Sequence, residues 1–269
     1  MSIKLLALDL DGTLLDSDKN MPVQFLPWVR EHSEVRTVIA SGRQYYTILR
    51  DFPVGRDNIT IIAENGGLVF DENNERIYVN SMKPEDVRSS LDRVLAIPYA
   101  HPIVCGEKSA YILNVNDEIF NQTGVYYARI QRVDDLYEYI DKDRVLKIAI
   151  FFENHDAAKH VAELSNLEGD VSCVLSGERW IDIANNDVNK GTAIRFLLEK
   201  YGIDRSEAAA FGDYLNDKEM LEACEESYCM ANGHDDLKKV AKHIAPGNDE
   251  NGVMQVLMGN FKKSGGNSR

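Results

Sequence analysis

Two aspartates separated by one residue, Asp9 and Asp11 in the run Asp9-Leu10-Asp11-Gly12-Thr13, close the first apolar segment of the chain. Alternate residues of a strand point to the same face, so a strand ending here sends both carboxylates out together beyond its carboxyl end. Like charges held that close repel, and a divalent cation relieves the repulsion. Hard carboxylate oxygens favour magnesium, which keeps several waters and shares the phosphate of a substrate. In such a site one carboxylate can attack phosphorus while the other shuttles a proton. The competing reading is a solvated turn, with Asp11-Gly12 bending the chain and both acids facing water. A calcium loop starting at Asp16 is excluded, because Met21 stands where glycine is needed and Pro27 where the bidentate glutamate belongs.

Three further groups carry types suited to the same chemistry. Ser41-Gly42-Arg43 follows a second apolar run and precedes a helical pattern with Tyr45, Ile48 and Leu49. A hydroxyl and backbone amides at a helix N-terminus suit a phosphate oxygen; alternatively Ser41 is the helix N-cap and Arg43 a surface cation. Asn189-Lys190-Gly191 opens a helix carrying Ile194, Leu197 and Leu198. A cation in the first turn opposes the macrodipole at a cost of ~0.3–1 kcal/mol, which an anionic ligand would reverse, although exposed lysines occur there too. Gly212-Asp213-Tyr214-Leu215-Asn216-Asp217 follows another short apolar run. Asp213 emerges at the same carboxyl edge as Asp9 and can complete a metal site. Asp217 either orients Lys190 or a metal-bound water, or caps the next helix.

These groups need a frame. Lys4–Leu10, Val35–Ala40, Ile59–Ala63, Ala208–Phe211 and Tyr228–Met230 read as strands buried on both faces, most followed by a turn and a helical pattern. Strands alternating with helices predict an α/β, doubly wound, Rossmann-like parallel-sheet core, whose ligand sites lie at the carboxyl edge. The pattern changes between about Met82 and Ile183. That stretch predicts an amphipathic helix over Pro84–Ile97 with Val87, Leu91, Val94 and Leu95 at helical spacing, then a hairpin around Gly106. Another helical region, the strand Val145–Phe152, a helix over His155–Leu167 and two last strands complete it. The order predicts an inserted α+β cap domain at 82–183, with core parts at 1–81 and 184–269. Pro27 interrupts the first helical pattern, as a kink or as the mark of a late start, and Lys263–Arg269 reads as a frayed tail.

Composition narrows the partners. The chain has 269 residues, 44% hydrophobic and 28% charged, enough for a sizeable core. A formal charge of −14 disfavours nucleic acid and anionic membranes. A small phosphorylated metabolite remains compatible, if a metal and a few placed cations reverse the field locally. No apolar run approaches the ~18 residues of a membrane span, and a cytoplasmic location is the default expectation. Cys105, Cys173, Cys224 and Cys229 show no zinc-like spacing and read as reduced, mostly packed thiols.

Taken in order, Asp9-x-Asp11-Gly-Thr, Ser41-Gly-Arg43, Lys190-Gly and Gly212-Asp213-x-x-Asn216-Asp217 resemble the four motifs of the haloacid dehalogenase superfamily. The inserted stretch resembles its type IIB cap. Glu64-Asn65-Gly66-Gly67, Met230-Ala231-Asn232-Gly233 and Asn248-Asp249-Glu250-Asn251-Gly252-Val253 are similar to features of the Cof-like sugar-phosphate phosphatases. The resemblance implies a magnesium-dependent phosphoric monoester hydrolase acting through an aspartyl phosphate. Asp9 is then the nucleophile, and Asp11 protonates the leaving alcohol and activates water. Ser41 and Lys190 hold phosphoryl oxygens. The Asp9 carboxylate, the Asp11 carbonyl and Asp213 bind the metal, with Asn216 and Asp217 in support. Tyr214 departs from the family by its bulk, so that it either narrows the site or packs under the cap. Two other activities stay open: a phosphomutase of the phosphomannomutase type, for which Lys108, Arg129, Arg132 and Arg179 are candidate cap cations, and a non-catalytic phospho-ligand sensor.

Overall fold

The structure, a computed structural model, describes residues 3–52 and 58–260; Lys263–Arg269, the expected tail, lie outside the described residues. The chain opens with β1 (Leu5–Leu8), α1 (Phe25–Glu31), β2 (Arg36–Ala40), α2 (Tyr45–Asp51), β3 (Ile59–Ala63), β4 (Leu68–Phe70) and β5 (Arg76–Val79). Then come α3 (Pro84–Leu95), β6 (Ala100–Gly106), β7 (Ala110–Leu113), α4 (Asp117–Gly124), β8 (Ile130–Val133), α5 (Tyr137–Ile140), β9 (Val145–Phe152), α6 (Ala157–Leu164), β10 (Val171–Gly177) and β11 (Trp180–Asn185). It closes with α7 (Lys190–Tyr201), β12 (Ala208–Gly212), α8 (Lys218–Ala223), β13 (Glu226–Met230), α9 (Asp235–Val240), β14 (His243–Ala245) and α10 (Gly252–Asn260).

Two compact units result. One takes the described residues of 1–42, 51–78 and 189–269, the other Arg43–Arg50 and Val79–Val188. The second unit is wider than the 82–183 read from sequence, and its capture of Arg43–Arg50 has a polar cause. Gln44 exchanges two hydrogen bonds with the backbone of Arg129, each 3.0 Å, and Thr47 Oγ1 accepts from Ala128 N at 2.9 Å. Side-chain hydrogen bonds of this kind leave no mark in apolar periodicity.

The first unit is a doubly wound α/β core on one sheet, ordered β14-β13-β12-β1-β2-β3-β4-β5. Pairing is parallel from β14 to β3, and β4 is antiparallel to β3. Each residue of β1, Leu-Leu-Ala-Leu, is wholly buried, which is why the segment reads as a continuous apolar run. On one side lies α7, started by the Asn189 side chain, which accepts from Thr192 N at 2.8 Å, and ended by Gly202 at φ +62°. Its Ala193, Ile194 and Leu197 pack in one core with Leu5, Ala7 and Ala210. The chain leaves β1 toward β2 and leaves β12 toward β13, in opposite directions. The carboxyl ends of β1 and β12 therefore flank a topological switch point, where an open α/β sheet forms its ligand crevice.

Three strands of this sheet were not read from sequence. β4 and β14 have three residues each, too short for a pattern, and β5 is nowhere fully buried, so it makes no apolar run. Pro27 is the third residue of α1, where its missing N–H costs nothing, so the helix starts late and is not kinked by it.

The second unit is α+β. Its sheet runs β10-β11-β9-β6-β7-β8, antiparallel except for the β7–β8 pair. Ile148, Ile150 and Phe152 of β9 pack with Val87, Leu91 and Val94 of α3, while Ala149 and Phe151 face a second cluster with Ile103 and Ile112. Leu95 does not join the α3 stripe and is 41% exposed. The expected helix at His155–Leu167 shortens to α6, because His155 takes a left-handed φ of 56° that no helix admits. Among the described residues no helix is long and apolar enough to cross a membrane. All four cysteines are free, three of them buried.

Candidate active site

Asp9 continues β1, its N–H donating to Phe211 O at 3.1 Å, so the carboxyl ends of β1 and β12 are locked side by side. The chain then coils at once, with Leu15 N donating to Leu10 O at 2.9 Å. Gly12 makes the coil possible. Its φ is +79°, and a Cβ there would lie 2.3 Å from Asp213 Oδ2. Thr13 Oγ1 donates to Asp213 Oδ1 at 3.3 Å, a second tie between the two loops.

Lys190 enters from the first turn of α7 and is fully buried. Its Nζ donates to Asp9 Oδ1 and to Asp217 Oδ1, both at 2.6 Å. The other oxygen of Asp217 accepts the amides of Asp213 at 3.0 Å and Tyr214 at 3.2 Å. Both Asp217 oxygens are thus spent on orienting the lysine and closing the loop that carries Asp213. Two glycines let α7 begin so deep. A Cβ on Gly66, at φ +108°, would meet Asn189 O at 2.3 Å, and one on Gly191 would meet Glu219 O at 2.2 Å.

The carboxylates of Asp9, Asp213 and Asp217 each bring an oxygen within 4.8 Å of the others, a donor set of hard oxygens suited to a divalent cation. One ammonium does not neutralise three carboxylates. Burial, with Asp217 and Asp213 nearby, raises the Asp9 carboxyl well above the usual aspartate range, against the pull of Lys190. Burial and the charge of Asp217 push Asp213 up to about 6. For Lys190, burial works toward deprotonation, but Asp217 and Asp9 outweigh it and hold the ammonium charged. Since Asp217 is committed to Lys190, Asp9 and Asp213 are the side chains placed to hold a metal. The Asp11 carboxylate is not in this cluster and pairs instead with Lys19 at 2.9 Å, which leaves its backbone carbonyl as the group the sequence resemblance assigns to the metal.

Ser41 is buried at the end of β2, its N–H donating to Ile62 O at 2.9 Å. Because α2 starts only at Tyr45, Ser41 is not its N-cap. Ser41 and Gly42 belong to the first unit and Arg43 to the second. Asn65 connects motifs distant in sequence: its N–H donates to Ser41 O at 3.0 Å, its Oδ1 accepts from Asn216 Nδ2 at 3.1 Å, and a Cβ on Gly42 would lie 3.0 Å from that same oxygen. Asn232 and Asn248 brace the loop after β1, with Asn232 Nδ2 on Gly12 O at 2.8 Å and Asn248 Nδ2 on Leu15 O at 2.9 Å. Lys19, Asn65, Asn232 and Asn248 received no role from sequence; the Asn-Gly pairs at Asn65 and Asn232 were the available signal.

Tyr214 is 57% exposed and packs edge-on against His234, ring centroids 5.5 Å apart. The four cations considered for a mutase are all engaged within the second unit. Lys108 Nζ donates to Lys142 O, Arg129 lies over the Tyr46 ring, Arg132 pairs with Asp117, and Arg179 donates to the carbonyls of Phe152 and Glu153.

Comparison with known proteins places this geometry. A family model described as haloacid dehalogenase-like hydrolase matches residues 6–257. The chain is 31% identical over 262 residues to the 5-amino-6-(5-phospho-D-ribitylamino)uracil phosphatase YbjI of Escherichia coli, covering 96% of each. It superposes with a TM-score of 0.84 on a haloacid dehalogenase-like hydrolase from Bacteroides thetaiotaomicron, at 25% identity, covering 96% of this chain and 99% of that one. A HAD subclass IIB sugar phosphatase shares the fold, with a TM-score of 0.77 at 20% identity over 95% of this chain and 98% of that one.

Proposed function

Because the chain belongs to the haloacid dehalogenase-like hydrolases and is a phosphatase of that family, we propose that it hydrolyses small phosphate monoesters through an aspartyl phosphate on Asp9, with magnesium as cofactor. The observation that carries the reading is the buried Lys190 ammonium bridging Asp9 and Asp217 at 2.6 Å each, beside Asp213 at the switch point of the sheet. A fixed cation between a nucleophile and its orienting acid, with a second carboxylate for a metal, is what in-line phosphoryl transfer requires.

In this mechanism an Asp9 oxygen attacks phosphorus as the bond to the alcohol oxygen breaks, and the departing oxygen takes a proton from Asp11. Water then attacks the phosphorus of the aspartyl phosphate and gives its proton to Asp11; inorganic phosphate leaves and the Asp9 carboxylate is restored. An ammonium has three donors, and Lys190 spends two on Asp9 and Asp217, which keeps one for a phosphoryl oxygen. The Ser41 hydroxyl supports another, and Gly42, Arg43 and Asn216 are further candidates on the phosphate side. Asp9, the Asp11 carbonyl and Asp213 would hold magnesium, which when bound would neutralise negative charge in the site.

Sugar phosphates are the substrate class we favour, and a ribityl phosphate linked to a uracil ring joins them because a relative is named for that activity. Phosphate release from a panel of sugar, polyol, nucleotide and cofactor monoesters, with magnesium and with chelator, tests the reading. Asp9→Asn should abolish turnover while its circular dichroism stays that of the wild type; comparable turnover in that variant would exclude Asp9 as nucleophile. Isomerised sugar phosphate without phosphate release would instead identify a mutase.

A further inference from the structure

The loop after the paired acids presents a cation that the mechanism above leaves without a task. Its turn closes on itself: Lys19 N donates to Asp16 O at 3.0 Å, and the Asp16 carboxylate accepts Asn20 N at 2.7 Å and Asn20 Nδ2 at 3.1 Å. Lys19 sits in this turn at φ 66°, a left-handed conformation that a residue with a Cβ keeps only where its surroundings hold it.

The surroundings do hold it, from a segment more than two hundred residues away. Asp249 accepts both the N–H and the hydroxyl of Ser17, at 2.7 and 2.8 Å, across a sequence separation of 232. Next to it Asn248 grips Leu15 O, and its own N–H donates to Asn232 Oδ1 at 3.0 Å, while Asn232 Nδ2 reaches Gly12 O. The turn at Gly12 and the loop that follows it are therefore braced by one Asn232–Asn248–Asp249 framework. The outcome is Lys19 Nζ standing 2.9 Å from Asp11 Oδ1.

We propose that Lys19 is a positioning residue for Asp11, holding the proton-transferring carboxylate in one orientation; this rests on the reading of Asp11 as the acid and base. Stability does not account for the pair, because the Lys19 and Asp11 side chains are 56% and 37% exposed and exposed ion pairs contribute little. Orientation does. A cation on a pinned turn, 2.9 Å from Asp11 Oδ1, favours one rotamer of that partly exposed side chain.

The test uses two leaving groups. An alkyl phosphate departs as a poor leaving group and needs a proton in the transition state; p-nitrophenyl phosphate departs as a stable phenolate and does not. Lys19→Ala and Lys19→Gln should lower kcat on the alkyl ester by about tenfold or more, a part of the ~10²–10⁴ that a general acid contributes, with KM within about twofold. Single-turnover release of p-nitrophenol should change little, and Lys19→Arg should recover most of the alkyl rate. Equal losses on both esters, or no loss on either, would overturn the role of Lys19 while leaving the phosphatase reading intact. A wild-type protein that hydrolyses neither ester, or an Asp9→Asn variant that hydrolyses both, would overturn that reading and this inference with it.

Discussion

At the scale of residues, the site is an unbalanced set of charges built to be completed. Removing Lys190 would strand buried carboxylates, a change that typically costs ~3–5 kcal/mol, so the lysine has a structural role of its own. Asp213 is the member whose removal is informative. Its carboxyl is raised from 3.8 to about 6 in the folded protein, so the metal-free fold loses stability as pH rises from 3.8 through about 6. Asp213→Asn should lack that loss and melt at or above the wild type at pH 7 in chelator. Magnesium should raise the melting temperature of the wild type by mass action and shift the variant little. Thermal unfolding with magnesium and with chelator reads both effects, and equal magnesium shifts would remove Asp213 from the metal site.

At the scale of elements, two close approaches set the depth of the lysine. α7 begins against Asn65-Gly66 on one side and against the start of α8 on the other, with no room for a Cβ on Gly66 or Gly191. In an open helix, glycine to alanine gains up to ~1 kcal/mol from propensity. At Gly191 the sign should reverse. A Cβ at 2.2 Å from the Glu219 carbonyl must push α7 from α8, and overpacking of this kind costs about 1–3 kcal/mol. Urea unfolding of Gly191→Ala measures this, and phosphatase rate should fall with it because Lys190 is the adjacent residue. A variant as stable as the wild type would mean that the α7–α8 contact relaxes freely.

At the scale of the whole molecule, a chain with a net charge of −14 offsets its excess acid locally, by pairing carboxylates with nearby cations as at Arg36–Glu72 and Arg88–Asp141. The far edge of the core sheet follows the same rule. Glu226 of β13 accepts from Lys242 Nζ at 2.7 Å and contacts His243 Nε2 at 2.8 Å, at the start of β14. The hydrogen bond from Lys242 holds its carboxyl below its ordinary value of 4.5. A depressed carboxyl stabilises the fold above 4.5, and that contribution disappears as pH falls through the folded value. Glu226→Gln should therefore melt a few degrees below the wild type at pH 7, with the gap closing below pH 4.5. A gap independent of pH would assign the loss to packing.

The apolar strands of the core were legible in the sequence, as were the acids Asp9, Asp213 and Asp217 that the structure brings together. Each is a local property: a run buried on both faces, a helical stripe, a glycine or an acid at a strand end. β4, β5 and β14 were not legible, being short or half-exposed, and neither was the pull of Gln44 and Thr47 that assigns most of α2 to the second unit. What only the tertiary structure decided is strand order. Placing β12 beside β1 brings Asp213 to Asp9, and the start of α7 beneath them joins Lys190 to Asp9 across 181 residues and to Asp217 across 27. Asp249 reaches Ser17 across 232. Such contacts depend on which surfaces the whole chain buries together, a free energy to which no single segment's pattern corresponds, so the acids and Lys190 could be named from sequence while the pairing of Asp11 with Lys19 could not.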